Sequence, residues 1–587
     1  MPGTRPLKDR VGVTHVDGDY HLTDENFLNE GAKQIRNLGS RVIKVWLTHV
    51  AGDDPHNKYP YNSDWPPSFD SMVDVVESNY FRELFQRDFR TYVLEAYAHV
   101  DGGYGDDYKH YFIRGISDDQ LRQEEQSFYE LTKHLLETYR GTGKEFVLQH
   151  WQGDWAIIPW KKREEISAGE LRSDDLEPTQ TAIDGMIQWL NARQRGVERA
   201  RSEIESDVTV LHAAEVNMVL RAMQGQTRVI NTVVPETNVD LVSHNSYREM
   251  WRAFRRWNPN DAPAKFREIL DFVNEHAPEP SEYVKSVLPV PSKSVFVGEY
   301  GLPFEKVGNE KAAQITKMIT HTSLEWGVPY MLYWAIYDTS GGKGFWLVRP
   351  DGTKSPVWDY IDSIITENSL QKLPTYAELA FDFNKSVEEY EINPETSKEK
   401  SRALTFRCSE LVLLNSDGQS VERYSVGNPD DEPILSEGVS YPVANEESSW
   451  RWFVGENPDD PRTSIYVERS VFDVATSARI RGVPVVDDIE ADVLVDGRVV
   501  DHVDFQRDAG WADYLVQLRT KTSTPTTENP TTTASSAVTT TETTSRSPTS
   551  SPTANGGRSS STVPGFGIQA TTVGLATLLA KYWREQH

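Results

Sequence analysis

Short apolar runs alternate with longer stretches of helical periodicity over the first 365 residues of the chain. Eight of these runs have the length of buried strands: VGVTHV (11–16), RVIKVWLTH (41–49), TYVLEAYAH (91–99), EFVLQHWQ (145–152), DVTVLHAAEVN (207–217), VDLVSHNSY (239–247), SVFVGEY (294–300) and PYMLYWAIYD (329–338). Stretches between them, such as QEEQSFYELTKHLLETYR, have the apolar spacing of amphipathic helices. Because strands that alternate with helices are typical of parallel sheets, eight such units predict a (β/α)8 barrel over residues 1–365.

The pattern changes to period-two alternation over residues 375–518, in runs such as ALTFRCSELVLL and ADVLVDGRVVDHVDF. Asp496-Gly497 lies between alternating apolar residues of the second run, and this pair is a strong hairpin signal because both turn positions need positive φ angles. These runs predict a small β-sandwich as an accessory domain. Three tryptophans of this region are interpreted as core side chains in preference to sugar-stacking surfaces: Trp450, Trp452 and Trp511.

Apolar residues become scarce over residues 519–562, where threonine, serine and proline dominate. Such a composition has little to bury, which predicts a disordered stalk of the kind that is often O-glycosylated, with an unmodified linker as the alternative. Residues 563–587 then bring Pro564-Gly565-Phe566, a mostly apolar run from Gly567 to Ala580 and a short basic end. That run is shorter than the roughly 20 residues that a membrane-spanning helix needs.

This C-terminal arrangement resembles the archaeal PGF-type sorting signal. The resemblance implies that a membrane peptidase cuts the tail near the motif and that the protein is joined to a membrane lipid. The implied partners are therefore a sorting peptidase and a lipid, and the implied location is the outer cell surface. A plain amphipathic end is the alternative. The first twenty residues hold no apolar export segment, so we expect that Met1 is a misassigned start or that the sequence is truncated.

Acidic residues outnumber basic residues by 89 to 61, which gives a formal net charge of -28. An aromatic content of 11%, with 16 tryptophans, argues for a folded chain and against charged disorder. An acidic surface repels nucleic acid phosphates, so a nucleic acid is not an expected partner. The surface also resembles those of proteins from salt-loving archaea, where salt screens the repulsion. The single cysteine, Cys408, permits neither an intrachain disulfide nor a zinc site with two thiolates.

Polar and aromatic residues follow the apolar runs, at the strand ends where a barrel of this kind places its active site. They occur on all eight predicted strands: His15, Asp17, Trp46, His49, Tyr97, His99, Gln152, Asp154, Trp155, Glu215, Asn217, His244, Tyr247, Glu299, Trp334 and Asp338. Buried polar groups cost free energy unless they are paired, so maintenance of the fold does not explain such a ring. The pattern therefore predicts a functional site at the C-terminal end of the barrel.

Three strands carry a family resemblance that covers residues 10–362. VFVGEYGLP resembles the nucleophile strand of clan A retaining glycoside hydrolases, the superfamily of cellulases and endoglucanases. MLYWAIYD resembles the strand that supplies the tryptophan floor of a sugar subsite, and SHNSY resembles the strand whose tyrosine steadies the nucleophile. The resemblance implies a glycoside hydrolase of (β/α)8 fold with Glu299 as nucleophile, Trp334 beneath the sugar, and His244 and Tyr247 beside them.

Glu299 has the strand parity of Val295 and Val297, which predicts that all three side chains lie on one side of the strand. A buried glutamate paired with an arginine for structure is the alternative to a nucleophile. Clan A barrels carry an arginine near the nucleophile, whereas RVIKVWL offers Lys44 at that place. A lysine is a point charge on a flexible stem, so we expect a weaker effect on Glu299 than an arginine fork would have.

The second carboxyl of a retaining glycosidase lies about 5 to 5.5 Å from the first, and the sequence leaves it open. Clan A enzymes place an Asn-Glu pair after the fourth strand, and this chain has HWQGDW. Asp154 is the nearest acid there, while the amide of Gln152 cannot donate a proton as a carboxylic acid would. Glu215 of LHAAEVNMV is an equal candidate for the acid/base. Otherwise Asp154 caps the following segment and Glu215 binds a sugar hydroxyl.

The other ring residues are predicted to bind substrate, because aromatic side chains stack on sugar rings and polar ones bind hydroxyl groups. They are Gln152, Trp155, Asn217, His244, Tyr247, Trp334, Lys44, Trp46, Tyr97, His99 and Trp151. No histidine pair has the short helical spacing of a zinc motif, so neither a metal site nor a cofactor is predicted. The sequence as a whole predicts a surface-anchored retaining hydrolase acting on a poly- or oligosaccharide. A non-catalytic carbohydrate-binding barrel and a structural cell-envelope component are the alternatives.

Overall fold

The structure of the protein is a computed structural model, and it describes residues 5–16, 18–48, 69–97, 111–151, 153–158, 176–255, 257–288, 290, 293–338, 344–384, 387–392, 399–426, 434–435, 443–444, 449–455, 462–484 and 488–519. Four predicted site residues lie outside the described residues: Asp17, His49, His99 and Gln152. The predicted stalk after Arg519 and the predicted sorting signal also lie outside them.

Eight parallel strands close into a barrel in which each strand pairs with the next along the chain and the eighth pairs with the first. They are β1 (Val11–Thr14), β2 (Val42–Thr48), β3 (Thr91–Tyr97), β4 (Glu145–Gln149), β5 (Thr209–Val216), β6 (Leu241–Asn245), β7 (Val295–Tyr300) and β8 (Met331–Tyr333). Each lies within one of the eight apolar runs of the sequence. The predicted (β/α)8 barrel is therefore confirmed.

Helices follow the strands of the barrel along the chain. They are α1 (Phe27–Asn37), α2 (Met72–Glu77), α3 (Asn79–Gln86), α4 (Asp118–Thr138), α5 (Gln180–Glu203), α6 (Val219–Ala222), α7 (Val229–Thr232), α8 (Tyr247–Arg255), α9 (Ala262–His276), α10 (Glu282–Val287), α11 (Phe304–Val307), α12 (Asn309–Trp326) and α13 (Pro356–Glu367). Local sequence fixes where several begin: Ser117 and Gln120 form a reciprocal capping box at α4, which satisfies donors that the first turn leaves unpaired. No described helix combines the length and the apolar character that a bilayer span requires.

Alternate residues of the barrel strands belong to two separate apolar clusters. The inner cluster includes Val42, Val93 and Phe296, and side chains of α10 complete it. The outer cluster joins the opposite face of the same strands to the helices and includes Val295 and Val297. Because both faces are covered, the strands are apolar on both sides, which explains their near-continuous hydrophobic runs.

The chain continues into two antiparallel sheets. The first has the order β14-β15-β11-β17-β20, with β10 and β12 also paired to β11, and the second has the order β13-β16-β9-β18-β19. Their strands are β9 (Tyr376–Phe383), β10 (Val387–Ile392), β11 (Glu399–Leu414), β12 (Ser420–Ser425), β13 (Ile434–Leu435), β14 (Val443–Ala444), β15 (Ser449–Gly455), β16 (Arg462–Glu468), β17 (Ser477–Pro484), β18 (Ile489–Val495), β19 (Arg498–Phe505) and β20 (Ala512–Gln517), with one short helix, α14 (Arg469–Phe472). This arrangement confirms the predicted β domain after the barrel.

Local details of this β domain agree with the sequence in one place and correct it in another. Asp496 and Gly497 have φ angles of 49° and 76° and join β18 to β19, as the hairpin signal predicts. Trp511 is 37% exposed, so its interpretation as a core side chain is wrong. It precedes β20 at the edge of the sheet, whereas phenylalanines such as Phe406 and Phe505 fill the core, with ring centroids 4.4 Å apart. The side chains of Trp450 and Trp452 lie outside the described residues.

Candidate active site

Four charged side chains from four different strands meet inside the barrel. Lys44 of β2, Glu95 of β3, Glu215 of β5 and Glu299 of β7 are all buried, and we refer to them as the Lys44 cluster. The Lys44 Nζ lies 2.6 Å from Oε1 of Glu95, 2.7 Å from Oε1 of Glu299 and 3.6 Å from Oε2 of Glu215. All four side chains therefore converge near the ends of the strands where a barrel places its chemistry.

A β-bulge at Gly298 turns Glu299 into this cluster. In the pairing of β6 with β7, His244 lies opposite Val297 and the next residue, Asn245, lies opposite Glu299, so Gly298 is the extra residue. A bulge of this kind re-aims the side chains that follow it. Glu299 consequently points into the barrel, while Val297 belongs to the outer apolar cluster. The prediction that Glu299 lies on the same side as Val295 and Val297 is wrong, because strand parity does not survive the bulge.

Position 298 has no room for a side chain. A Cβ atom there would overlap Oγ of Ser243 and lie 3.2 Å from its Cβ. Only glycine lets β7 approach β6 this closely, so the GEYG motif encodes both the bulge and the direction of Glu299. The carbonyl oxygen of Gly298 lies 3.4 Å from Lys44 Nζ, which ties the bulge to the cluster.

Two buried amides complete the hydrogen bonding of the cluster. Asn245 Nδ2 donates to Oε2 of Glu299 at 2.7 Å, so both oxygens of Glu299 accept hydrogen bonds, one from an ammonium and one from an amide. This arrangement fits the ionised carboxylate, which is an acceptor only. Gln149 Nε2 lies 3.4 Å from Oε1 of Glu95 and 3.3 Å from Oε2 of Glu215, and it bridges these two side chains.

Burial and mutual charge shift the protonation of the cluster. Burial raises the pKa of Glu95 to about 7; the Lys44 ammonium opposes this increase, and the negative charge of Glu299 adds to it. Burial alone would lower the pKa of Lys44, but attraction by Glu299, Glu95 and Glu215 outweighs it, and the pKa rises. Lys44 is therefore cationic throughout the ordinary pH range, and Glu95 exchanges its proton near neutral pH.

The three carboxylates each offer an oxygen within 4.8 Å of the other two, a spacing that could hold a cation. The ammonium of Lys44 already lies in contact with two of them. A metal ion bound there would face this buried positive charge at short range, which is unfavourable in a medium of low dielectric constant. The donor set therefore suits an ammonium and its counter-ions better than a metal site.

Asp154, one of the two acid/base candidates, is not among the carboxylates that lie within 4.8 Å of one another. Its side chain accepts backbone N–H groups of Asn217 at 3.1 Å, Met218 at 3.0 Å and Val229 at 2.8 Å, and it is 1% exposed. Its own N–H donates to Oδ1 of Asn217 at 3.0 Å. Asp154 thus fastens the segment after β4 to the segment after β5, and Asn217 takes part in the same anchor. The alternative that Asp154 caps the segment after it is therefore wrong, because the N–H groups that it accepts belong to segments after β5.

His244, predicted to bind substrate, lies on the outer face of β6. Its ring centroid is 6.3 Å from that of Phe266 in α9, and Nε2 lies 3.8 Å from Oε2 of Glu249. Burial lowers the pKa of His244 to about 3 and raises the pKa of Glu249 to about 8, so the pair is neutral between those values. His244 is therefore part of the layer between strands and helices, and Asn245 is the residue of β6 that reaches the cluster. His15 lies in the same layer, where Nε2 is 2.9 Å from the carbonyl oxygen of Phe27.

Aromatic residues of the predicted ring differ in their accessibility. Trp151 is partly exposed and meets the buried Trp46 edge to face, with ring centroids 4.9 Å apart. The hydroxyl of Tyr97 accepts from Trp151 N–H at 2.7 Å, which holds Trp151 in place after β4. Trp155 is 3% exposed and packs in a small apolar cluster with Met218, so it has no open face for a sugar, and its predicted stacking role is wrong.

Two further aromatic residues lie near the later strands. Trp334 directly follows β8, and its N–H donates to the carbonyl oxygen of Tyr300 at 2.9 Å. Tyr247 begins α8 and contacts Phe345 edge to face, with centroids 5.9 Å apart. Both side chains are partly exposed. Asp338, the last residue of the predicted ring, accepts the N–H groups of Gly344 and Phe345 and so closes the loop after β8.

Sequence reasoning missed three members of the site: Glu95, Gln149 and Asn245. A signal was present for Glu95, because a charged residue interrupts the apolar run TYVLEAY in the same way that Glu215 interrupts its own strand. Gln149 and Asn245 are the last residues of β4 and β6. Each lies beside a histidine, His150 or His244, which is a more common catalytic or ligand-binding residue than an amide. Only strand parity distinguishes the inward residue of each pair from the outward one.

Neither a protein-family model nor a curated protein matches the chain. Solved structures similar to it are glycoside hydrolases. A GH5-4 broad-specificity endoglucanase from Clostridium longisporum has a TM-score of 0.38 and 12% identity, covering 62% of this chain and 100% of that one. A family 5 xyloglucanase from Paenibacillus pabuli has a TM-score of 0.36 and 11% identity, covering 62% of this chain and 100% of that one. A family 39 glycoside hydrolase from Bacteroides cellulosilyticus WH2 has a TM-score of 0.37 and 12% identity, covering 79% of this chain and 82% of that one. Likenesses of this order transfer no residue roles to this chain.

Proposed function

We propose that the protein is a retaining glycoside hydrolase acting on a poly- or oligosaccharide, with Glu299 as nucleophile and Glu215 as acid/base. The observation that carries the proposal is the pair itself: two buried carboxylates from β7 and β5 offer oxygens within 4.8 Å of each other at the C-terminal end of a barrel. Retaining enzymes need carboxyl groups about 5 to 5.5 Å apart, whereas inverting enzymes leave roughly 6.5 to 9.5 Å for a water molecule. The shorter spacing favours retention.

The roles follow from the contacts of each carboxylate. Glu299, with both oxygens hydrogen-bonded as an acceptor, attacks the anomeric carbon, and the glycosidic C–O bond breaks. Glu215 gives its proton to the leaving oxygen. Water then attacks the anomeric carbon, Glu215 takes a proton from that water, and the ester to Glu299 is released. Lys44 lies within 3.6 Å of both carboxyl groups and compensates the single negative charge that the pair carries.

The partly exposed aromatics supply the sugar-binding surface in this proposal. Trp151, Trp334 and Tyr247 present apolar rings that suit the C–H faces of sugars, and each lies within two residues of the end of a barrel strand. Buried Trp46 and Tyr97 support Trp151 from below. We propose a glycan as the partner on this basis. From the resemblance of the C-terminal segment to a PGF-type sorting signal, we further propose that the protein is attached at the outer surface of an archaeal cell. The sorting peptidase and a membrane lipid are then its partners.

One observation favours a second candidate, a carbohydrate-binding barrel without turnover. The inward side chain at the end of β4 is the amide of Gln149, where the resembling family has a carboxyl group close by. An amide cannot protonate a leaving oxygen. If Glu215 does not take that role, the aromatics bind a sugar that the cluster does not cleave.

The test is release of reducing sugar by the full chain in concentrated KCl from carboxymethyl cellulose, mixed-linkage β-glucan, xyloglucan, xylan and mannan. We expect turnover of at least one polysaccharide, with loss of turnover in Glu299→Gln and Glu215→Gln. Glu145→Gln is the matched control, since Glu145 is a buried glutamate that Tyr330 and Thr91 bind at the opposite end of the barrel. Proton NMR of the first product should show retained anomeric configuration.

Absence of turnover on the whole panel would reject the hydrolase. Binding of a panel polysaccharide that persists in Glu299→Gln, without turnover by the wild type, would identify the binding barrel instead.

A further inference from the structure

Glu95 is a third buried carboxyl group that the proposed double displacement does not need. The reaction uses one nucleophile and one acid/base, which Glu299 and Glu215 supply. Glu95 nevertheless makes the shortest contact of the cluster, 2.6 Å from Oε1 to Lys44 Nζ, and both side chains have no exposed surface. Burial of a carboxylate costs free energy unless a partner offsets the desolvation. The partner of Glu95 is Lys44, and the role of Glu95 follows from the way charge moves during the reaction.

The first step of the proposed reaction moves a negative charge within the cluster without changing its total. Glu299 begins as an anion and becomes a neutral ester when its oxygen bonds to the anomeric carbon. Glu215 begins protonated and becomes an anion when its proton goes to the leaving oxygen. The anion therefore shifts from a carboxylate 2.7 Å from Lys44 Nζ to one that is 3.6 Å away. Lys44 has to stay between the two positions although one of its partners becomes neutral.

A lysine has no fixed geometry of its own, since its ammonium sits on a flexible four-carbon stem. We propose that Glu95 is a positioning residue that anchors the Lys44 ammonium between Glu299 and Glu215, so that Lys44 compensates whichever of the two is ionised. This inference rests on the proposed function. Glu95 does not itself react. Gln149 donates to both Glu95 and Glu215 and so fixes the position of Glu95 relative to the acid/base.

The protonation of Glu95 makes the anchor sensitive to pH. Four titratable groups of the described chain face its carboxyl group: Lys44 from β2, Glu215 from β5, Glu299 from β7, and Tyr97 from its own strand. Burial and the charge of Glu299, opposed by Lys44, raise its pKa to about 7. Its Oε2 accepts no hydrogen bond from the described residues, so a proton can bind there without breaking the contact of Oε1 with Lys44. The anchor is thus anionic above neutral pH and a weaker, neutral acceptor below it.

The decisive experiment compares kcat of the full-length wild type and Glu95→Gln across pH, on the panel polysaccharide that the wild type cleaves fastest. Glutamine keeps the shape but cannot ionise. We expect Glu95→Gln to lower kcat about tenfold to a hundredfold near pH 8.5, since a charge-assisted hydrogen bond is lost, and less than about threefold near pH 5.5, where Glu95 is already neutral. The ratio of the two rates cancels the titration of groups that both proteins share. KM should change little, because Glu95 does not touch the sugar.

Glu95→Asp restores the charge and should recover part of the rate near pH 8.5, while Glu145→Gln should give the same ratio to wild type at every pH. A loss in Glu95→Gln that does not vary with pH would indicate a structural role only and would overturn the proposal. No loss at either pH would overturn it as well.

A second measurement does not depend on turnover. In the infrared difference spectrum of wild type minus Glu95→Gln, the band of a protonated buried carboxyl should be present near pH 5.5 and absent by about pH 8.5. Other buried acids, such as Glu249, are common to both proteins and cancel in the difference. A difference spectrum without this band at pH 5.5 overturns the proposal. If the wild type cleaves nothing on the panel, the proposed function fails by itself, and the anchor role for catalysis fails with it even where the infrared titration is seen. Turnover with a flat rate ratio rejects the anchor alone. Should Glu95→Gln not fold, Glu95→Asp replaces it in the difference spectrum, where the glutamic acid band of the wild type should again appear near pH 5.5 and its absence overturns the proposal.

Discussion

The ammonium of Lys44 lies 2.7 Å from Oε1 of Glu299, across the interior of the barrel from β2 to β7. This contact lies where the family resemblance leads one to expect an arginine, and the weaker effect of a lysine on Glu299 stays a prediction. A point charge reaches three carboxylates at once, Glu95 and Glu215 included, which a planar guanidinium fork directed at one carboxylate would not do. The chemistry of the site therefore centres on one cation shared by three acids.

Lys44→Met should destabilise the protein, because it leaves three buried carboxyl groups without their cation. We expect a loss of about 3–5 kcal/mol in the free energy of unfolding, as for other broken buried ion pairs. The loss should be smaller at pH 5 than at pH 8, since low pH protonates the carboxyl groups that repel one another. Urea unfolding in concentrated KCl at both pH values measures it. Lys44→Arg, which keeps the charge, is the control, and equal losses at the two pH values would contradict the shared-cation description.

Gly298→Ala should disrupt the bulge that aims Glu299. The added Cβ would overlap Oγ of Ser243, and overpacking of this kind costs about 1–3 kcal/mol. Removal of that hydroxyl in the double variant Ser243→Ala/Gly298→Ala should recover part of the lost stability, while the remaining 3.2 Å approach to the Ser243 Cβ keeps the recovery incomplete. Thermal unfolding of the wild type, both single variants and the double variant measures the coupling. Additive effects of the two substitutions would show that the contact is not the cause.

The sequence predicted the barrel because eight apolar runs and their helical spacers repeat one unit, and each run contains a strand. It also named Glu299, Glu215 and Lys44 as site residues, and the structure brings these three side chains together. It could not predict that Glu299 faces inward, because a bulge changes the parity of every residue after it and depends on the fit of Gly298 against Ser243. The sequence of β7 alone does not indicate how closely Gly298 approaches Ser243 of β6.

The roles of Asp154 and His244 could not be predicted for a different reason. Both have chemistry suited to a glycosidase site and lie close to strand ends in the sequence. Asp154 instead accepts three backbone N–H groups of the segments after β5, and these donors are contributed by residues more than 60 positions away. His244 differs from the inward Asn245 by a single position in β6, and a shift of one residue exchanges the two faces of a strand.

Glu249→Gln should stabilise the protein more as the pH rises. Burial raises the pKa of Glu249 from its ordinary 4.5 to about 8, so the folded state keeps a proton that the unfolded state loses above 4.5. Its contribution is fully present below pH 4.5 and is lost as the pH rises to about 8. Glutamine is neutral at every pH and removes this loss, with a gain on the order of a few kcal/mol at pH 8. His244, whose pKa burial lowers to about 3, is common to both proteins and cancels in the difference. Unfolding free energies of the wild type and Glu249→Gln at pH 5 and pH 8 measure this gain. If the two proteins differ by the same amount at both pH values, Glu249 does not keep a buried proton.

Asp154→Asn and Glu215→Gln should have opposite effects, and the comparison decides between the two acid/base candidates. Asp154 is a loop anchor, so loss of its charge weakens three hydrogen bonds to backbone N–H groups; we expect a loss of about 1–3 kcal/mol in the free energy of unfolding, with turnover retained below the melting temperature. Glu215 lies in the Lys44 cluster, where three carboxyl groups share one cation, so a neutral amide there should cost little stability while it removes the proton that the leaving oxygen needs. Azide provides the sensitive readout: as a small external nucleophile it attacks the ester to Glu299 without base assistance, so it should accelerate Glu215→Gln on a substrate with an activated leaving group and leave Asp154→Asn unaffected. Azide acceleration of Asp154→Asn alone would assign the acid/base to Asp154 and would require the segment after β4 to rearrange when substrate binds.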